Sequence, residues 1–282
     1  MFDCEAHSVA SVHQKKESGP GREKKKVSYE GMRWHYFREY REVWWWSKET
    51  VAVVTGGNRG IGFEICRQLA AHGLTVILTS RDASAGVEAI KVLKEDGLDL
   101  IYHQLDIGDS SSINQFVNWL QENYGGLDIL VNNAGVNFNL GSDNSVENAR
   151  KRISNAALRD KLSDVESLSE ELIDNTLSTF LQQVEDGSWT SGGWPQNYTD
   201  YSLSKLAVNA FTRLTARKLS ERPVGQKVCV NCYCPGWVRT ALTGYAGNNT
   251  VEEGADTGVW LALLSDQTTT GKFFAERREI NF

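Results

Sequence analysis

One stretch constrains this chain more than any other: residues 51–62, Val-Ala-Val-Val-Thr-Gly-Gly-Asn-Arg-Gly-Ile-Gly. The four apolar, mostly β-branched residues at its start read as a short buried strand. A glycine-rich turn runs from Thr55 to Gly62, and Ile61, Ile65 and Leu69 then recur at helical spacing. Strand, glycine turn and helix in this order suit a dinucleotide pyrophosphate. Glycines let the backbone come close to the phosphates, and the helix N-terminus offers free N–H groups and a favourable dipole. Such a turn can also be an ordinary loop, but its place between strand and helix weighs towards a nucleotide.

The rest of the chain bounds the answer. A length of 282 residues fits one large domain or two small ones. The net charge of −6 argues against a nucleic-acid binder. No apolar run reaches the ~18 residues of a membrane span, and no apolar segment follows the N-terminal charges as a secretory signal requires. The cysteines (Cys4, Cys66, Cys229, Cys232 and Cys234) are odd in number and lack a zinc spacing. Cys232 and Cys234 alternate in a strand-like run and share one face of it. Reduced, structural thiols in a cytosolic compartment are the expectation.

Residues 1–48 read as a disordered leader. Lys15, Lys16 and Lys24 to Lys26 surround Ser18-Gly19-Pro20-Gly21, with few aliphatic side chains. The segment 32–46 is rich in rings, Trp34, Tyr36, Phe37, Tyr40 and Trp44 to Trp46, and some of these are expected to pack on the edge of the domain. The folded unit is placed at 49–282. Within it, strand and helix patterns alternate: helix near 60–72, strand 74–80, helix 83–95, strand 100–105, helix 110–123, strand 127–131, strand 227–234, helix 250–264 and a short strand 273–275. Ile113, Phe116, Val117 and Leu120 form the apolar side of the helix at 110–123. Alternation of this kind predicts an α/β fold, a doubly wound parallel sheet with helices on both faces.

Several motifs occur in order along this frame. They are Thr55-Gly56-x-x-x-Gly60-Ile61-Gly62, Asp106 at a strand end, Asn132-Asn133-Ala134-Gly135, Tyr201-x-x-x-Lys205 and Pro235-Gly236-x-Val238-x-Thr240. Together they resemble the short-chain dehydrogenase/reductase family over residues 50–148 and 153–282. The resemblance implies a Rossmann-like domain that moves hydride between a nicotinamide and a carbonyl or alcohol carbon. It also implies cofactor contacts at Gly56, Asn58, Arg59, Gly60, Ile61, Gly62, Asp106, Asn133, Tyr201, Lys205, Val238 and Thr240. Asp106 would meet the adenine amino group, Asn133 the adenosine side, and Val238 and Thr240 the nicotinamide amide. By itself Asp106 could equally be a turn or helix cap.

Charge argues for the cofactor. An acid at the end of the second strand would bond a ribose 2′-hydroxyl and repel a 2′-phosphate. Here Arg81 stands there, and Arg59 lies in the glycine turn. Two guanidiniums favour the doubly negative 2′-phosphate, hence NADP(H). Asp82 reads as a helix cap. Tyr201 and Lys205 share one helix face. A phenol is a poor acid–base group at neutral pH, with a free pKa of about 10, and a nearby ammonium lowers it into range. The resemblance makes this pair catalytic, with Lys205 also holding the nicotinamide ribose.

Ahead of the tyrosine, Ser167-Leu-Ser-Glu170 reads as a capping box. It opens a helix over 167–186 with the stripe Leu168, Leu172, Ile173, Leu177, Phe180, Leu181 and Val184. This extra helix resembles the plant menthone/neomenthol and salutaridine reductases and the monomeric carbonyl reductases of the family. It implies a monomer acting on a small carbonyl or alcohol, such as a terpenoid or alkaloid ketone.

The chain also departs from the family. After Asn-Asn-Ala-Gly the family has a long helix carrying an asparagine, then a strand ending in a catalytic serine. Residues 136–187 contain no β-branched apolar run of that kind, and the pattern jumps near 149–152. One central strand and most of one crossover helix are therefore expected to be missing. The strand's neighbours would then be left with exposed ladders or forced to pair with each other. Ser188 has the right distance to Tyr201 but follows a helix and Gly187, not a strand. Neither it nor Ser154 or Ser191 is assigned as the serine. A reductase without that serine, impaired or inactive, is the alternative reading.

Overall fold

The structure is a computed structural model that describes residues 7–12, by their backbone, and 45–135, 160–162, 164–194, 199–223, 226–265 and 268–280. The first strand is β1 (His7–Val12). The dinucleotide half follows as β2 (Val51–Val54), α1 (Gly60–Ala71), β3 (Thr75–Ser80), α2 (Ala83–Glu95), β4 (Ile101–Gln104), α3 (Ser110–Tyr124) and β5 (Ile129–Asn132). The second half has α4 (Glu170–Glu185), α5 (Thr199–Ser220), β6 (Val228–Cys234), α6 (Val251–Leu263), β7 (Phe273–Ala275) and β8 (Arg278–Glu279). They build one eight-stranded sheet in the order β4-β3-β2-β5-β1-β6-β7-β8.

Strands β4, β3, β2 and β5 are mutually parallel, as are β6 and β7. Alternate residues of β2 explain why its sequence is continuously apolar. Ala52 and Val54 enter a core with α1, α2 and α6, while Val51 and Val53 enter a second core with Phe116 and Leu120 of α3. The helix α3 buries only Phe116 and Leu120. Ile113 and Val117, expected on its apolar side, are exposed.

The leader departs from expectation. Six of its residues form β1, which lies antiparallel between β5 and β6. The neighbours of the expected gap thus neither stay open nor pair directly: each forms a ladder with β1. Both run antiparallel to it, so they remain parallel to each other. The sequence hides this because a six-residue strand without helical context looks the same as a polar tail with two valines. Trp45 and Trp46 pack on the main core, and Trp45 Nε1 donates to Leu263 O at 3.0 Å. The other leader rings, and the junction near 149–152, lie outside the described residues.

Helix α4 starts at Glu170, two residues later than the capping box predicts. Its cap is Ser169, whose hydroxyl accepts from Leu172 N–H at 3.1 Å, while Ser167 bonds Asp164 O instead. Leu168, Ile173 and Phe180 of the expected stripe are buried, but Leu181 and Val184 face solvent. The buried ones pack on α5, against Ala210, Leu214 and Leu203. Arg217 of α5 clamps the approach to α4 by donating to the carbonyls of Val165, Glu166 and Leu168.

Candidate functional site

The site lies at the carboxyl edge of the sheet, where an open α/β fold gathers the loops that follow its strands. The glycine turn leaves β2 there. Gly56 and Gly60 have φ of +64° and +58°, which L side chains rarely adopt. A side chain on Gly62 would begin 2.3 Å from Asn133 Nδ2 and 2.6 Å from Gly56 O. The turn is therefore closed to anything but glycine at these points.

The turn leads into an open helix end. Arg59 is the N-cap of α1 in extended conformation, and no side chain accepts from the first-turn N–H groups. The other α-helices with described caps differ: Asp82, Asp109, Ser169 and Thr250 each accept from a backbone N–H of α2, α3, α4 and α6. No acid stands in the first turn of α1. An anion can take these donors without displacing a protein group.

A knot of hydrogen bonds fixes the turn. Thr55 Oγ1 accepts from the backbone N–H groups of Asn133 and Ala134, each at 3.0 Å, and donates to Val131 O at 3.3 Å. Asn133 Nδ2 donates to Thr55 O at 2.9 Å and Gly56 O at 3.1 Å. The Asn-Asn-Ala-Gly motif thus holds the glycine turn from the neighbouring strand end. Gly57 N–H donates to Thr79 O at 2.9 Å, which ties the turn to the end of β3. Arg59 and Arg81 therefore sit on adjoining strand ends, both exposed.

The remaining assigned residues are placed as follows. Asp82 caps α2, accepting from Ala85 N–H at 3.0 Å. That bond, then the Ser84 hydroxyl, holds its carboxyl below the usual carboxylate range. Asp106 ends in a turn where Oδ1 accepts from Gly108 N–H at 2.9 Å. Ile61 is 6% exposed and Val238 1%. Their side chains belong to the core, so only their backbones can meet a ligand. Thr240 approaches the glycine turn: a Cβ on Gly60 would lie 3.3 Å from its Cγ2. Asn58 is half-buried in the turn.

Tyr201 and Lys205 stand one turn apart near the start of α5, with Lys205 Nζ 5.4 Å from the centre of the Tyr201 ring. Ser188 and Ser191 lie in a 3₁₀ turn after α4, and Ser188 bonds Asp186. This is the loop position expected for Ser188; Ser154 is outside the described residues.

Sequence reasoning passed over three residues. Thr55 was seen only as the first letter of a motif. Asn249 supports the Pro235–Thr240 segment, pairing its backbone with Arg239 and Trp237. Asn209, one turn beyond Lys205, is buried, and its Oδ1 has no hydrogen-bond partner among the described residues. Only its helical spacing from Lys205 could have flagged it. A cavity of about 460 Å³ lies at the far end of α5, between Arg213, Ala216, Cys232 and Phe273, away from Tyr201. Cys66, Cys229, Cys232 and Cys234 are buried, and burial pushes the Cys66 thiol strongly up. No helix among the described residues is long and apolar enough to cross a membrane.

The chain thus combines a Rossmann-like sheet, a glycine turn leaving its carboxyl edge into an open helix end, and a Tyr–Lys pair near the start of α5. The family model for short chain dehydrogenases matches residues 50–250, and the chain belongs to that family. It is 34% identical to carbonyl reductase [NADPH] 1 of Bos taurus, over 84% of this chain and 99% of the relative. To (+)-neomenthol dehydrogenase of Arabidopsis thaliana it is 32% identical, over 82% and 97%. Salutaridine reductase from Papaver somniferum superposes with a TM-score of 0.70 at 30% identity, covering 80% of this chain and 99% of that one. Menthone neomenthol reductase from Mentha piperita follows at 0.64 and 28%, covering 80% and 98%. The bovine alignment spans 280 positions while using only 84% of this 282-residue chain, so stretches of that relative have no counterpart here.

Proposed function

We propose that this chain is an NADP(H)-dependent carbonyl reductase acting on a small ketone or aldehyde, of the terpenoid or alkaloid class. The observation that carries it is the uncapped N-terminus of α1 behind a turn that only glycine can form. Backbone N–H groups of the turn at Asn58, Gly60, Ile61 and Gly62 would hold the pyrophosphate, and Gly56 keeps the approach open. Arg59 and Arg81 would hold the 2′-phosphate, Asp106 and Asn133 the adenosine side. Val238 and Thr240 would meet the nicotinamide amide through backbone and hydroxyl. The bound cofactor supplies a hydride to the carbonyl carbon.

The protein's part is positioning and the proton. Tyr201 would donate its phenolic proton to the carbonyl oxygen, and the Lys205 ammonium beside its ring favours the phenolate left behind. Solvent then returns the proton. The α4–α5 packing supports a monomer, since it covers the helix face that dimeric members of the family use. The odd cysteine count without a zinc spacing supports a reducing cytosolic setting. The test is NADPH oxidation at 340 nm with a panel of cyclic ketones, beside cofactor titration of the Arg59→Ala, Arg81→Asp double variant. NADPH should bind well ahead of NADH, and the double variant should lose that preference. Equal discrimination in both proteins refutes the assignment of the arginines, and no NADPH binding refutes the reading as a whole.

A second reading, cofactor binding with impaired turnover, is favoured by the unmatched stretches of the bovine relative. They fit an internal deletion that removed the family's serine strand and most of the helix before it.

A further inference from the structure

The cavity at the far end of α5 is built around a side chain that folding alone does not call for. Arg213, Ala216, Arg217 and Ser220 line it from one stripe of the helix, at the i, i+3, i+4 and i+7 spacing of a single face. Cys232 of β6 and Phe273 at the start of β7 line it from the sheet. A helix face that packs on a sheet is ordinarily apolar, and a guanidinium there loses part of its water. Burial accordingly pulls the Arg213 guanidinium below the usual arginine range.

The other charges at the cavity have structural work. Lys272 Nζ pairs with Glu279 Oε1 at 2.7 Å. Arg217 donates to the carbonyls of Val165, Glu166 and Leu168, which carry no formal charge. The titratable groups that act on Arg213 are the Cys232 thiol and the Asp164 carboxylate. Asp164 is exposed and already accepts from Glu166 N–H at 3.2 Å, so solvent screens it from the guanidinium. Three cationic side chains and one carboxylate line the cavity, in a chain whose net charge is −6. Its local charge thus runs against the sign of the whole molecule, and such a cleft concentrates anions.

The rest of the lining is suited to an organic body. Val165, Phe273 and Ile280 are apolar, and Ser220 and Thr270 add hydroxyls. The volume of about 460 Å³ lies within the range of small-molecule pockets, which combine apolar walls with a few polar groups. Arg213 stands ~18 Å beyond Tyr201 along the helix axis, so this place is separate from the Tyr–Lys pair. An inorganic anion would leave the apolar walls uncovered, and an uncharged ligand would bring no charge to the guanidinium. We propose that the cavity is a second ligand site, for a small carboxylate with an aryl or short alkyl body. The carboxylate lies on Arg213, whose planar fork matches its two oxygens, and the body lies against Val165, Phe273 and Ile280. Binding is reversible, with no covalent step, and it does not depend on the reductase reading above.

Calorimetric titration of the full chain with benzoate and hexanoate, each beside its neutral amide, tests this. At least one of the acids should bind one-to-one, about tenfold or more tighter than its amide, and should weaken as salt rises. Saturating NADPH should leave that binding unchanged. Arg213→Met, which keeps an apolar stem, should lose it at the same concentrations while its NADPH titration matches that of the parent. Binding of neither acid, or equal binding of acid and amide, overturns the proposal. So does displacement of the acid by NADPH, which places it at the catalytic edge, and so does parental acid binding in a cooperatively melting Arg213→Met. Where that variant does not melt cooperatively, the acid–amide difference and the NADPH competition in the parent chain decide. A parent chain that binds the acid through Arg213 but binds no NADPH refutes the reductase reading and leaves this site standing.

Discussion

Replacing Thr55 by valine isolates the knot that holds the glycine turn, because the two side chains have nearly the same shape. The position is 5% exposed, so water has little access to make good a loss. The hydroxyl accepts from Asn133 and Ala134 N–H groups and donates to Val131 O. Asn133 N–H keeps a second acceptor in Val131 O at 3.1 Å, and that carbonyl still receives Thr55 N–H at 3.0 Å. The uncompensated loss is therefore Ala134 N–H. An orphaned donor costs about 1–3 kcal/mol where water cannot reach it, towards the low end at this part-buried amide, and the added methyl offsets up to about 0.8 kcal/mol of it. The net destabilisation expected is about 0.2–2 kcal/mol, or up to roughly 8 °C in melting temperature for a domain of this size. Chemical denaturation and thermal melts measure it. The glycine turn hangs on the same bonds, so NADPH affinity should fall several-fold (roughly 1 kcal/mol,), whereas Thr55→Ser, which keeps the hydroxyl, should hold that affinity. Thr55→Val with parental stability and cofactor affinity would refute the account of how β5 supports the turn.

Other outcomes follow from the same geometry. Gly62→Ala puts a methyl into Asn133 and the Gly56 carbonyl and should abolish detectable NADPH binding by titration, while Gly73→Ala, with open space around it but φ of +86°, should cost only stability. Asp82→Ala should lower the melting temperature at neutral pH. The folded carboxyl is held down, so its contribution is present above the ordinary carboxylate pKa of about 4 and is lost as pH falls through the depressed value. The two melting curves should therefore converge in acid. Arg217→Ala removes the clamp on residues 165–168 and should speed proteolysis just ahead of α4 in a timed digest. Asn209→Leu removes a buried oxygen without a donor among the described residues and should melt no lower than the parent.

What the sequence made legible was what local rules control. The turn of 55–62 is written in glycines whose φ values the structure requires, and Asp82 as a cap follows from its place before an apolar helix pattern. The Tyr201–Lys205 spacing puts both on one face of α5 regardless of tertiary context. Helix stripes were legible only in part. Val117, Leu181 and Val184 match the period, but α3 and α4 are each covered on a narrower arc than the stripe. The cap of α4 was misread because Ser167 and Ser169 carry the same hydroxyl, and only the chain's path from Asp164 decides between them.

The largest miss concerns pairing between distant segments. Nothing local in His7–Val12 says that it belongs between residues 129–132 and 228–234; that is settled by what those two strands lack. Each has one partner fixed by the fold, β2 for β5 and β7 for β6, and an unpaired row of N–H and C=O groups on its other side, whose burial would be costly. An antiparallel strand satisfies both rows without a crossover connection, which a parallel strand at this place would require. Such a strand can come from any segment with a tether long enough, and an N-terminal extension meets that condition. The antiparallel sense then decides which of its residues reach the carboxyl edge. A parallel insertion would have put Val12 there; the antiparallel one puts His7 and Ser8 there. The direction of this one strand thus follows from the connection that its place between β5 and β6 allows.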